Sequence, residues 1–210
     1  MSKIKIVGVD FSGIKIVNEF IKISNLDYNS IIIATHELYF DFSKAKIKIH
    51  TGKNEKFGLD GGSPQRSEKL ARKCHDEIFS ALNGAEVLIC ISDFFDDDGE
   101  GIPSVIAEVA KEVGAVSIFY AIIPNFKFVR PFRQKYIQEF LKKLTEKADY
   151  VIRIDSWYFT RFLNKNLRFD IFMEMCERLT AIDIDYFLKN YLKWREKFAN
   201  CNLECRKIET

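Results

Sequence analysis

The chain has 210 residues, 47% of them hydrophobic, and its 32 Lys/Arg against 30 Asp/Glu leave a formal net charge of +2. That fits one well-buried domain, and the balance argues neither for nor against nucleic acid, although no aromatic-interleaved basic strand offers a nucleic-acid platform. Apolar runs such as 115–124 stop near ten residues, short of the roughly 18 needed for a membrane span.

Cys74, Cys90, Cys176, Cys201 and Cys205 are an odd, scattered set, unlike a secreted disulfide framework. The start, Met1 to Val7, enters a strand pattern without the apolar core and cleavage site of a signal peptide, which predicts a cytoplasmic protein. Charge is uneven: residues 1–121 carry 14 Lys/Arg against 18 Asp/Glu, and residues 122–210 carry 18 against 12. The basic residues Lys135, Lys142, Lys143 and Lys147 recur at helical spacing, as on a solvated helix face.

Short β-branched runs alternate with amphipathic helical segments, the pattern of a parallel α/β sheet. Strands are predicted at 3–9, 31–35, 46–50, 86–92, 116–123 and 150–154. Between them, 13–23 reads as a helix with Ile14, Val17, Phe20 and Ile21 on one face, and 52–62 as a Gly/Lys-rich loop. Ser63 caps a helix that runs from Pro64 to about Leu82 and closes at Asn83-Gly84. Helices are also predicted at 103–114 and 131–148, and from Trp157 almost to Ala199 in two or three pieces, interrupted at 164–166 and 182–185. The expected architecture is α/β: a three-layer, Rossmann-like, mostly parallel six-stranded sheet with helices on both faces. Residues 1–180 are assigned to the domain and 181–210 to a C-terminal helix and tail.

The most informative segment is the turn 91–103, which leads from the fourth strand into a helix and carries Asp93, Asp96, Asp97, Asp98 and Glu100. In an open parallel sheet such turns receive ligands, and their N–H groups and helix dipole favour anions. Two unit charges about 4 Å apart interact by roughly 1 kcal/mol in water and about 4 kcal/mol at an effective dielectric of 20. Several carboxylates here would therefore oppose a triphosphate, unless a divalent cation held by Asp96, Asp97 and Asp98 bridged them. The simplest reading of these acids is a solvent-exposed loop.

Several segments, in this order, resemble the GTPase domain of the tubulin/FtsZ family. Residues 6–13, Ile-Val-Gly-Val-Asp-Phe-Ser-Gly, are similar to its opening phosphate loop, and 57–64, Phe-Gly-Leu-Asp-Gly-Gly-Ser-Pro, to a second glycine loop. Residues 105–115, Val-Ile-Ala-Glu-Val-Ala-Lys-Glu-Val-Gly-Ala, nearly match the FtsZ helix that follows the Gly-Gly-Gly-Thr-Gly-Thr-Gly signature. Residues 126–128 and 150–155 resemble its next loop and sixth strand, and Asp170-Ile171-Phe172 the start of its central helix.

The resemblance implies nucleotide-facing positions at Gly8, Asp10, Gly13, Lys15, Gly61, Gly62, Gly99, Gly101 and Arg133. It also implies losses. The signature falls on Phe95 to Gly101, with Phe95, Asp96 and Asp97 for its three leading glycines and Asp98 and Glu100 for its threonines; Lys15 replaces a guanine-side Asn; Val129 replaces a ribose-contacting Glu; Ile154 replaces an Asn of the base pocket, and Cys176 falls near the central-helix position that meets the guanine. The acidic loop that a second FtsZ subunit inserts for hydrolysis is matched only by 200–205, where Glu204 is the sole carboxylate. No catalytic residue is expected beyond that weak match, and the family's C-terminal domain is not matched.

The leading expectation is therefore a divergent FtsZ/tubulin-like protein with a degenerate GTP site, non-hydrolysing, without a bound cofactor, acting through a protein partner or self-association. Nucleic acid is not expected as a partner. The alternative is a GTP-binding protein using Mg²⁺ held by the acidic loop 93–100. An acid/base enzyme using Asp10 or Asp93 is a third reading. Without a second domain, the outer face of the helix beginning near Asp170 needs a cover, either a second copy or the segment 186–198 folding back.

Overall fold

The computed structural model describes residues 2–53, 63–95, 100–155 and 168–199. Its described residues form six parallel strands, β1 (Ile4–Val9), β2 (Asn29–Ala34), β3 (Ile47–His50), β4 (Val87–Asp93), β5 (Val116–Ile123) and β6 (Tyr150–Asp155), in the order β3-β2-β1-β4-β5-β6. Every pairing is parallel, so the expected "mostly parallel" sheet is wholly parallel here. Strands β1, β2 and β4 are buried on both faces for nearly their whole length. Their apolar runs are therefore continuous rather than alternating, as a sheet covered by helices on both sides requires.

Among the described residues, six α-helices cover the sheet: α1 (Asp10–Ile23), α2 (Pro64–Lys73), α3 (His75–Leu82), α4 (Ile102–Glu112), α5 (Pro131–Lys147) and α6 (Phe169–Ala199). One core lies between α1, α6 and the sheet face carrying Ile6, Ile32, Ile89 and Ile91. The other lies between α2 to α5 and the face carrying Val7, Ile31, Leu88 and Cys90. The buried positions of α1 include the predicted Ile14, Val17 and Phe20.

Local chemistry sets the helix ends. The Ser63 Oγ accepts from the Arg66 N–H at 3.2 Å, completing the predicted cap. Gly84 (φ +77) follows α3 and Gly114 (φ +73) follows α4, both in the left-handed region where a glycine ends a helix without strain.

Two helical expectations are corrected. The single helix predicted from Pro64 to Leu82 is two, because Cys74 (φ −98, ψ 18) leaves helical geometry and α3 restarts with Asp76 and Glu77 in its first turn. The predicted break at 182–185 does not occur. Across that stretch α6 is continuous, with Ala181, Ile184 and Leu188 fully buried. The two aspartates that suggested a break are tethered: Tyr120 Oη donates to Asp183 Oδ2 at 3.0 Å and Lys189 Nζ to Asp185 Oδ2 at 2.6 Å. Residues 186–199 thus extend the helix instead of folding back over it.

Charged side chains tie α2, α4 and α5 together. Arg72 Nη1 and Nη2 donate to Glu108 at 2.6 and 3.0 Å, Nη2 also reaches Glu68 at 2.8 Å, and Lys147 Nζ lies 2.7 Å from Glu108. The Arg72 guanidinium, with Lys147, holds the Glu108 carboxyl down to about 2 against partial burial.

A folded-state pKa below the unfolded value stabilises the fold above the unfolded value, near 4.5, and that contribution is lost as pH falls toward about 2. Urea midpoints of wild type and Glu108→Gln should therefore differ at pH 7 by up to about 1 kcal/mol, given the group's partial exposure, and converge at pH 2. A gap that persists at pH 2 would contradict this. Because Leu188 is fully buried, Leu188→Ala should cost about 2–5 kcal/mol in chemical denaturation; a cost under about 0.5 kcal/mol, as at a surface site, would show that this end of α6 is not part of the core.

Candidate functional site

The strand order reverses between β1 and β4, so the crevice above their C-terminal ends is the place where an open α/β sheet receives a ligand. Two glycines bring α1 down onto this point. A Cβ on Gly8 would lie 2.5 Å from Gly13 O, and one on Gly13 would lie 2.6 Å from Ile91 O. Neither position has room for a side chain, and close packing of helix on strand is enough to require glycine at both.

Asp10 sits between them in the sequence at φ 48, a conformation that short polar side chains tolerate when they bond locally. Its Oδ1 accepts from the Thr35 N–H at 3.0 Å and from Thr35 Oγ1 at 3.3 Å. The carboxylate thus fastens the β1–α1 turn to the end of β2, beside the electropositive first turn of α1.

At the second crevice wall, β4 ends at Asp93 and α4 begins at Ile102. Glu100 lies just before that helix, 1% exposed. Arg133, from α5, grips it with both guanidinium nitrogens: Nη1 donates to Oε2 at 2.8 Å and Nη2 to Oε1. Arg133 Nη2 also reaches Phe94 O at 3.5 Å. The acidic turn is therefore not uniformly solvent-exposed, and its last acid is a buried partner in a bidentate ion pair. Next to it, the Gly101 N–H donates to Ser67 Oγ at 3.1 Å. A Cβ on Gly101 would lie 2.0 Å from Pro64 O, so this glycine lets α2 seat against the start of α4.

On the opposite side of the crevice, Lys15 Nζ donates to Glu177 Oε1 of α6 at 3.1 Å and lies 4.7 Å from the centre of the Phe11 ring. Burial pushes the Glu177 carboxyl above the ordinary carboxylate range, with Lys15 pulling it back. Burial, aided by Glu177, pushes the Cys176 thiol up to about 11, so it is protonated at neutral pH. Beneath this pair, Ser12, Ile16, Phe95, Ile154, Cys176 and Glu177 line a cavity of about 20 Å³ open to the centre of a water molecule. One water needs roughly 10–15 Å³ on that measure, so this enclosed space admits about one water.

Of the residues expected at the site, Gly8, Asp10, Gly13, Lys15, Gly101 and Arg133 do converge on the C-terminal edge of the sheet. Gly61, Gly62, Asp96, Asp97, Asp98, Gly99 and Glu204 lie outside the described residues. Among the described residues no group of three or more His, Cys, Asp or Glu side chains could hold a metal ion. Glu177, Ser67 and Thr35 were not foreseen. Thr35 follows a strand parallel to β1, a position that the sheet order alone points to. Glu177 and Ser67 carry no local signal, because their partners are 162 and 34 residues away.

A family model described as the Tubulin/FtsZ family, GTPase domain, matches residues 3–162. The cell division protein FtsZ of Helicobacter pylori (strain J99) is 29% identical over 167 residues, 79% of this chain and 43% of the relative. That of Mycoplasmopsis pulmonis is 30% identical over 155 residues, 74% of this chain and 40% of the relative. Among solved structures, an empty FtsZ dimer from M. jannaschii is similar with a TM-score of 0.78 at 21% identity, over 88% of this chain and 54% of that one. A GTPγS-bound CetZ2 protofilament from Haloferax volcanii gives 0.74 at 16% identity, over 89% and 58%. The chain spans less than half the length of the curated relatives named here. With the family model matched over residues 3–162, well over half of this chain, the chain belongs to the tubulin/FtsZ family through its GTPase domain.

Proposed function

We propose that this chain is a divergent FtsZ/tubulin-like protein, acting in the cytoplasm, whose GTP cleft is degenerate and does not hydrolyse nucleotide, and which works through protein contacts or self-association. One observation carries the reading: both cations that the family resemblance assigns to the nucleotide are held by carboxylates of this chain, Arg133 by Glu100 and Lys15 by Glu177. A phosphate or base entering the crevice must compete with an internal anion at each place.

The chemistry supports that competition on three sides. The Glu100 carboxylate stands immediately before α4, whose positive end would otherwise favour an anion from outside. The neighbouring Gly101 N–H is engaged by Ser67. The carboxylates nearby repel a triphosphate. A GTP–Mg²⁺ complex would need Asp96, Asp97 and Asp98 to hold the ion; these lie outside the described residues, among which no cluster of three metal ligands occurs.

Calorimetric titration with GTP, ATP and NAD, each with and without Mg²⁺, should give no binding heat. Micromolar GTP binding that needs Mg²⁺ would instead favour the metal-bridged alternative, and a GTP turnover abolished by Asp97→Ala would sink the non-hydrolysing reading.

Removing the Glu100 carboxylate leaves the guanidinium of Arg133 without its bidentate partner in a largely buried setting. Breaking such a pair costs about 3–5 kcal/mol, so Glu100→Ala should show a loss of that order in denaturant unfolding. An exposed loop acid would change stability by less than about 0.5 kcal/mol, and a result of that size would remove the argument that Glu100 occupies the cleft as an internal anion.

A further inference from the structure

At the edge of the sheet opposite the crevice above β1 and β4, the end of α1, the start of β2 and the segment leading into β3 line a second cavity. It has about 260 Å³ open to the centre of a water molecule, against about 20 Å³ beside Cys176 and Glu177. Ligand pockets run from about 300 Å³ upward, so this space suits one compact molecule.

The lining has a cationic, an apolar and a hydrogen-bonding part. Lys44 and Lys46 supply the first, and among the described residues neither takes part in an ion pair. Their backbone is already fixed: the Lys44 N–H donates to Asn18 Oδ1 at 2.9 Å, the Lys46 N–H donates to Ser30 Oγ at 3.1 Å, and Ala45 between them is buried. Ser30 also lines the cavity and is only 2% exposed. Its oxygen accepts the bond from Lys46, and its own hydroxyl proton has no acceptor among the described residues. The apolar wall is Ile21, Leu26 and Tyr28, with the Tyr28 ring set edge-on against Phe20 at 4.9 Å between centres. Asn25 and Asp27 stand at the exposed rim.

We infer that this cavity binds a small phosphorylated sugar, its phosphate between Lys44 and Lys46 and its hydroxyls on Asn25 and Asp27. The inference goes beyond the proposed function and does not depend on the state of the GTP cleft. A phosphate dianion is the partner that two pre-positioned ammonium groups call for when no carboxylate of the chain neutralises them. Asp27 sets the rest of the ligand's chemistry, because it repels a molecule that is anionic throughout and accepts from hydroxyl donors. The last carbonyls of α1, the negative end of that helix, act in the same sense beside it. A sugar ring matches both remaining surfaces: its C–H face packs on Leu26 and Tyr28, and its hydroxyl edge meets the polar rim. A purely apolar ligand would leave the buried Ser30 hydroxyl and both ammonium groups unanswered.

Glucose 6-phosphate, ribose 5-phosphate, glucose and inorganic phosphate, each titrated into the full chain by calorimetry and by amide nitrogen–proton spectra, test the proposal. At least one sugar phosphate should bind about tenfold or more tighter than free glucose and inorganic phosphate. It should shift the amide signals of Leu26, Ser30 and Lys46. Lys44→Ala and Lys46→Ala should each weaken binding by about tenfold, as for the loss of a charge-assisted bond. Their thermal unfolding should stay close to wild type, because both side chains are exposed. Absence of binding by either sugar phosphate overturns the proposal, as does inorganic phosphate binding equally well. Affinity retained in both lysine variants also overturns it, and so do amide shifts confined to Gly8, Gly13 and Arg133, which would place the ligand in the crevice at the other edge of the sheet.

Discussion

A carboxylate withdrawn from water must bring a cation or hydrogen-bond donors with it, and this requirement organises the cleft. Transfer of an unpaired charge into a protein interior costs several kcal/mol even after relaxation. Glu100 and Glu177 are both buried, and each is met by a cation from a distant part of the chain. The two pairs fasten α5 to the turn before α4 and α6 to α1, so the helices that wall the crevice are clamped by the charges that lie inside it. On the proposed reading, a ligand entering the cleft would have to exchange these same interactions.

The sheet beneath was readable because its physics is local. A strand buried on both faces needs a continuous β-branched run, and Ile31, Ile32 and Ile33, or Leu88, Ile89, Cys90 and Ile91, could serve little else at that length. Gly8 and Gly13 were also legible, although for a different reason from the one first suggested: the need for helix and strand to touch accounts for both without a phosphate. The resemblance to the tubulin/FtsZ domain added the order of the pieces, and with it the crevice at β1 and β4.

The rest was not legible because it depends on pairs remote in sequence. Glu100 meets Arg133 across 33 residues and Lys15 meets Glu177 across 162, and no periodicity links either pair. In isolation Glu100 looked like one more acid on a polar turn. The misread interruption at 182–185 has the same origin. The alternation Ile182-Asp183-Ile184-Asp185 conflicts with a single helical stripe only if both aspartates need solvent. Tyr120 and Lys189 remove that need, and the alternation becomes a helix with apolar residues on opposite sides, Ile184 inward and Ile182 outward.

The inward side of α6 carries both its apolar anchors and its charged contact to α1, Glu177. Glu177 faces the cleft and Leu179 faces outward, less than one turn apart on a helix continuous from Phe169 to Ala199. A ligand that displaced Glu177 from Lys15 would release a carboxylate that burial already disfavours as an anion. The helix would then keep its apolar anchors at Ala181, Ile184 and Leu188 and lose its charged one. Occupancy of the cleft at Lys15 would therefore bear on the one turn of α6 that carries Glu177.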